Sequence, residues 1–213
     1  MFRDRIDAGK QLGAALRRRA QSGALVLGIP KGGVEVAYQV SQILAFEFSI
    51  IIVRKLPFPD DPEAGFGAIA EDGTVWLMPQ VRHMLAQEHI NRILDEQQAE
   101  VLRRIKVLRG GQSLPDLDGR HVILVDDGIA MGSTIQVAAL CCRNKGAKRV
   151  TVAAPVASPD AHAAIKAMAD EVVVLETPPF FQAVAEYYKH WYDVPDQEVV
   201  AIMAKARLKA LKR

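Results

Sequence analysis

The chain has 213 residues, of which 50% are hydrophobic, 24% charged and only 6% aromatic, enough for one domain with a full core, with or without a small appendage. That composition excludes disorder, a collagen repeat and a disulfide scaffold. Lys plus Arg number 27 against 25 Asp plus Glu, a net charge of +2, which gives nucleic acid or anionic lipid no reason to bind the molecule as a whole.

Five apolar runs bounded by turn residues read as strands: Ala24 to Leu27, Phe48 to Val53, His121 to Val125, Arg149 to Ala154 and Glu171 to Leu175. Helical patterns follow the first, third and fourth, over Val34 to Leu44, Thr134 to Asn144 and Pro159 to Ala169, the last with Ser158 as N-cap. The alternation predicts an α/β fold, doubly wound, with a mostly parallel sheet and helices on both faces. In such sheets ligands bind beyond the carboxyl ends of the strands.

Two stretches interrupt the alternation. Pro57 to Gly73, PFPDDPEAGFGAIAEDG, is too rich in proline, glycine and acids for a regular element, and a flexible lid over residues 57–73 is the natural expectation. Pro79 to Leu108 then sets Ile90, Leu94, Val101, Ile105 and Leu108 on one face of a long helix. Beyond the fifth strand, Thr177 to Pro195 concentrates Phe180, Phe181, Tyr187, Tyr188, Trp191 and Tyr192, a cluster that suits either a core or a binding wall.

Adjacent Cys141 and Cys142 sit inside a helical pattern, where neighbours do not reach disulfide geometry, so both read as reduced packing residues. The basic runs Arg17-Arg18-Arg19, Arg103-Arg104 with Lys106 and Arg109, and Lys205 to Arg213 read as solvated helix ends. No apolar stretch reaches membrane-span length, and Met1-Phe2-Arg3-Asp4-Arg5 does not begin a signal peptide, so a cytoplasmic protein is expected.

The sharpest signal is Val122-Ile-Leu-Val-Asp-Asp-Gly-Ile-Ala-Met-Gly-Ser-Thr134: a buried strand, two acids at its end, and a short loop that opens a helix. Asp126 and Asp127 accept hydrogen bonds only, which suits a pair of vicinal hydroxyls such as those of a ribose. Ala130, Met131, Gly132, Ser133 and Thr134 present successive N–H groups and two hydroxyls at a helix N-terminus, where a phosphate is favoured. A sugar 5-phosphate satisfies both. Two rivals stay open: an ordinary strand-turn-helix with solvated acids, and a metal-binding acid pair of the receiver-domain kind, which leaves Gly132-Ser133-Thr134 without a task.

The segment resembles the ribose-phosphate signature of the type I phosphoribosyltransferases: four apolar residues, Asp or Glu, Asp, two apolar residues, Ala-Thr-Gly-Gly-Thr. Gly128 stands in place of an apolar residue and Met131 in place of the first Thr, which removes a hydroxyl from the phosphate loop. The loop after the first strand, Gly28-Ile-Pro-Lys-Gly-Gly33, resembles the family's pyrophosphate loop, and Arg54-Lys55 after the second matches a basic pair found there in the adenine and orotate branches. The resemblance covers about Leu25 to Leu175, and the layout is similar to an uncharacterised branch of the family.

The resemblance implies a transferase that takes 5-phosphoribosyl 1-diphosphate (PRPP) and a nitrogenous acceptor and releases pyrophosphate. Asp126, Asp127 and Lys55 would be catalytic, with the two acids on the ribose hydroxyls. Residues 130–134 would hold the 5-phosphate, and Lys31, Gly32, Gly33, Arg54 and Lys55 the pyrophosphate. Mg²⁺ is the implied cofactor, held mainly through PRPP, with Asp126 and Asp127 the protein groups available to it. The core would occupy 1–176 and a C-terminal hood with a terminal helix 177–213, where Phe180, Phe181 and Tyr187 would stack the acceptor. Ala130 takes the place of the acid usual in 6-oxopurine enzymes, so hypoxanthine and guanine should be poor acceptors unless Asp60, Asp61 or Glu63 substitutes. A homodimer is implied, with no nucleic acid or membrane partner. A regulatory protein that binds PRPP or a nucleotide without transfer is the alternative.

Overall fold

The computed structural model describes residues 1–20, 22–62 and 64–211. Glu63, one of the substitute acids named above, and the tail residues Lys212 and Arg213 lie outside the described residues. Five parallel strands form the central sheet: β1 (Leu25–Gly28), β2 (Glu47–Ile50), β6 (His121–Val125), β7 (Arg149–Val156) and β8 (Glu171–Glu176). Their order is β2-β1-β6-β7-β8, so the chain starts near one edge and winds in both directions from β1. This switch point brings the ends of β1 and β6 side by side, with Gly28 in register with Val125.

Alternate residues of the strands fill two cores. Val26, Ile123, Val125 and Ala153 pack against α1 (Arg5–Leu16) and α2 (Gly32–Leu44), through Leu12, Leu16, Val36 and Val40. Leu25, Leu27, Val122, Leu124, Val150 and Val152 face the opposite way, toward Ile135, Ala138 and Cys142 of α5 (Ser133–Asn144) and Ile165 of α6 (Pro159–Lys166). Each fully buried Val, Leu or Ile contributes about 1.5–3 kcal/mol. Cys141 and Cys142 are buried and unbridged, and burial pushes the Cys142 thiol up to about 12, so neither is a nucleophile at neutral pH.

The helix starts follow local chemistry. Asp4 caps α1 by accepting from the N–H of Asp7 at 2.7 Å, and Ser158 caps α6 by accepting from Ala161 at 3.1 Å, with Pro159 in the first turn.

Three expectations are corrected. The run Phe48 to Val53 is not one strand: β2 ends at Ile50, and β3 (Val53–Pro57) belongs to a second, antiparallel sheet, β3-β4-β5, with β4 at Gly65–Ala70 and β5 at Val75–Leu77. The break is enforced from outside the segment. Arg109 donates to the carbonyl of Ile50 at 3.0 Å, Glu71 accepts from the N–H of Ile52 at 2.9 Å, and the two side chains form a buried ion pair.

The supposed lid contains β4, all six of whose residues are buried. Ala68 and Ala70 face the α5 side, while Phe66 and Ile69 face α4 (Gln87–Arg109). A strand covered on both faces shows no alternation, which is why GFGAIA did not read as one. What remains outside regular structure there is the connection from β3 to β4, with Pro59 to Pro62 exposed, and the turn before β5.

The long helix is also broken: a single turn, α3 (Val81–Met84), ends at Leu85, and α4 begins only at Gln87 after two extended residues. A terminal helix, α7 (Asp196–Ala210), packs against α4 and contributes Val199, Ile202 and Met203 to their shared core. No helix among the described residues is long and apolar enough to cross a membrane.

Candidate active site

Two helix N-termini open on the carboxyl edge of the sheet, α2 after β1 and α5 after β6, and the acid pair lies between them. Asp126 follows β6 directly; its Oδ1 accepts from the N–H of Asp127 at 2.9 Å. The loop after β1 reaches this pair through Gly32 and Gly33, whose missing side chains are the condition for the approach. A Cβ at Gly32 would overlap Asp127 Oδ2, and one at Gly33 would stand 2.7 Å from Asp126 Oδ1. The peptide between Pro30 and Lys31 is cis. The N–H groups of Gly132, Ser133 and Thr134 open α5 with no hydrogen-bonded partner among the described residues, as the first turn of a helix requires.

The phosphate-type loop is fastened from beneath. Ile129 donates to the carbonyl of Val156 at 2.9 Å, and the Ser158 hydroxyl donates to that of Ala130 at 2.6 Å. Met131 is 58% exposed, so its side chain leaves the loop rather than filling it. Gly128, the other departure from the family pattern, has a packing reason: a Cβ there would run into Val184. The Val184 side chain occupies the place that a side chain at residue 128 would need.

The pair is electrostatically tense. Burial, and then the neighbouring Asp127 carboxylate, push Asp126 well above the usual carboxylate range, against the N–H of Asp127 and the charge of Arg5. Arg5, from the first turn of α1, is 3% exposed and its Nε donates to Asp127 Oδ2 at 2.8 Å. Tyr188 donates its hydroxyl to the Asp127 carbonyl at 2.5 Å. Sequence reading missed both contacts, and nothing in the local pattern around Arg5 announces a partner 122 residues away.

The remaining expected residues divide. Lys31 stands 4.0 Å from Asp196 at the start of α7, which also pairs with Arg103 at 3.4 Å. Arg54 and Lys55 are neighbours on β3 and so project to opposite faces. Arg54 is turned to α4, donating to Gln97 at 3.0 Å beside Arg104, while the stem of Lys55 lies over Gly65. The aromatic cluster splits likewise. Tyr188 is core, packed on Phe2; Phe181 and Tyr187 stack on each other with centroids 5.5 Å apart; Phe180 is 89% exposed. Glu35, in the first turn of α2, is raised by burial and by Glu198.

Of the basic run read from sequence as solvated, Arg109 is buried at 2% exposure and so corrects that reading, whereas Arg103 stays exposed and joins the half-buried Arg104 in clamping Glu100. Arg103 donates to it at 2.6 and 2.9 Å and Arg104 at 2.9 Å, and these bonds hold its carboxyl down to about 2. A depressed carboxylate stabilises the fold above its unfolded value of 4.5 and loses that contribution as pH falls toward 2. Glu100→Gln should therefore be less stable than the parent at about pH 6, and the gap should have narrowed to less than half by about pH 3. Urea unfolding midpoints at both pH values check this; a gap that widens in acid contradicts it.

A family model for the phosphoribosyl transferase domain matches residues 5–190. The chain belongs to that family. The phosphoribosyltransferase fold found here is shared at TM-score 0.82 with the crystal structure of TT1426 from Thermus thermophilus, which is 39% identical and aligns over 96% of this chain and 98% of its own. Two Mycobacterium tuberculosis proteins, Rv0571c and MT0597, are each 39% identical over 209 residues, 97% of this chain, and bear provisional names as phosphoribosyl transferases. The chain spans about half the length of these curated relatives, 47% of each.

Proposed function

We propose that this phosphoribosyltransferase uses PRPP with Mg²⁺ and passes the phosphoribosyl group to a nitrogenous acceptor other than a 6-oxopurine. The observation that carries the reading is the acid pair Asp126-Asp127 set between the opening turns of α2 and α5. The order of the parts, anion loop, acid pair, anion loop, suits a sugar with an anion at each end. Residues 130–134 would take the 5-phosphate on backbone N–H groups, the two acids the 2- and 3-hydroxyls, and Gly32, Gly33 and Lys31 the pyrophosphate.

In transfer, the anomeric C–O bond to pyrophosphate breaks, positive charge grows on the ring, and a C–N bond to the acceptor forms. Negative charge at Asp127 supports the ring cation while Asp126, which burial and that charge push toward its protonated form, holds a sugar hydroxyl, and Lys31 and Lys55 would meet the charge gathering on the leaving group. Arg54, whose Nε donates to Gln97, would add its charge to the positive field.

Among the described residues no group of three or more His, Cys, Asp or Glu could cage a metal. That fits Mg²⁺ carried in by substrate oxygens, since Mg²⁺ is commonly held by one or two carboxylates plus phosphates, here Asp126 and Asp127. When bound it would neutralise pyrophosphate charge.

Ala130 offers no acid to the acceptor, which supports adenine-, orotate- or amine-type acceptors over hypoxanthine and guanine, and exposed Phe180 offers an aromatic face for stacking. The tip of the β3–β4 hairpin, around Pro59 to Pro62, would limit water. The whole protein is read as a cytoplasmic homodimer without nucleic-acid or membrane partners.

The test is PRPP with Mg²⁺ at about 100 times its dissociation constant, which should add about 2.7 kcal/mol and raise the melting temperature by roughly 5–11 °C. Pyrophosphate release should follow when acceptors are added singly. No shift at millimolar PRPP overturns the reading; a shift without release across the acceptor panel assigns PRPP sensing instead.

A further inference from the structure

We propose that Arg5 is a positioning residue for the sugar-binding acid Asp127, an inference that rests on the transferase reading above. Its guanidinium is held on three sides. Nε donates to Asp127 Oδ2 at 2.8 Å, Nη1 donates to the carbonyl of Tyr192 at 2.9 Å, and the plane lies over the Trp191 ring with 4.0 Å to the centroid. The planar fork of arginine allows all three at once, whereas an ammonium would have to choose.

The start of the chain and residues 187–192 hold this arrangement in place. Phe2 donates its N–H to the carbonyl of Tyr187 at 2.8 Å and accepts from Lys189 at 2.9 Å, and Arg3 accepts from His190 at 3.0 Å. The start of α1 is thereby laced to the segment that carries Tyr188, Trp191 and Tyr192. Tyr188 then grips the main chain of Asp127 while Arg5 grips its side chain.

The consequence for Asp127 is a carboxylate with one available orientation. Oδ2 is taken by Arg5 and lies where Gly32 has no side chain, so the remaining acceptor direction is fixed before any sugar arrives. An acid whose rotamer is set by its neighbours loses no rotational freedom on binding a hydroxyl, and it meets that hydroxyl in the geometry the hydrogen bond needs. A buried ion pair that served only the fold would contribute little net stability; this one is spent on one of the two acids facing the sugar site.

The experiment compares ribose 5-phosphate with its 2-deoxy and 3-deoxy analogues by calorimetric titration of the whole chain. The parent should bind ribose 5-phosphate about tenfold tighter than the analogue lacking the hydroxyl that Asp127 holds. In Arg5→Met that ratio should fall to within about threefold, with affinity for inorganic phosphate unchanged, because only the oriented acceptor has been lost. Arg5→Lys, which keeps the charge and is the milder change for folding, should also lose most of the discrimination. The parent ratio retained in either folded variant overturns the inference. A parent that binds ribose 5-phosphate and both analogues equally, or none of them, overturns the transferase reading together with it.

Discussion

Asp127→Asn is expected to lower pyrophosphate release by about a hundredfold or more, the scale seen when one preorganised group facing the developing charge is lost. The amide still accepts a hydrogen bond, but it places no negative charge beside the ring cation and can turn its NH₂ toward the sugar hydroxyl. The structure adds a second consequence. Arg5, 3% exposed, would lose the charge that pairs it, so the variant should also lose about 1–3 kcal/mol of stability. Turnover therefore has to be measured at a temperature where a melting curve shows the variant folded. Release within about threefold of the parent would remove Asp127 from the proposed mechanism, and an unchanged melting temperature would show that Arg5 finds another partner.

Arg109→Met is expected to give the largest loss of stability. Arg109 is 2% exposed and serves four ends of the fold: the Glu71 carboxylate, the Ile50 carbonyl at 3.0 Å, the Gln112 carbonyl at 2.7 Å, and, through its own carbonyl, Arg207 of α7 at 2.9 Å. Methionine fills much of the volume but leaves Glu71, 6% exposed, as a buried charge without its cation. Breaking a buried pair from one side costs about 3–5 kcal/mol, which for a chain of this length lowers the melting temperature by roughly 10 °C. Replacing both partners, Arg109→Met with Glu71→Leu, should recover part of that loss, since an apolar pair has no stranded charge. A single variant melting within about 2 °C of the parent would show that the pair is not what separates β2 from β3.

The acid pair and its loop were legible because every part of the signature is local. A buried strand, two acids, a turn and a helix start fall within residues 122–134, and the register of a parallel strand carries the order of residues directly into space. The doubly wound sheet was legible for the same reason: apolar runs and helical periods alternate along the chain, and packing both faces of the sheet is the physical solution to that pattern. Gly32 and Gly33 could be placed at the strand end, although not against Asp126 and Asp127, since that proximity depends on β1 and β6 being neighbours.

Only the tertiary structure decided what surrounds the pair. GFGAIA became a strand because α5 covers one face and the α4 core the other, and burial on both sides erases the alternation by which strands are recognised. The apolar run at Phe48 to Val53 was divided by Glu71 and Arg109, which capture the backbone of Ile50 and Ile52 from elsewhere in the chain. Gly128 reads as a bare departure from the apolar pattern until Val184 is seen against it. Arg5 has no sequence signal of its own, and its role emerges only where Trp191 and Tyr192 close over it. A sequence pattern reports the average environment of a segment, whereas these contacts join residues far apart in the chain, and the positions that meet are fixed only when the sheet order and the packing of both chain ends are complete.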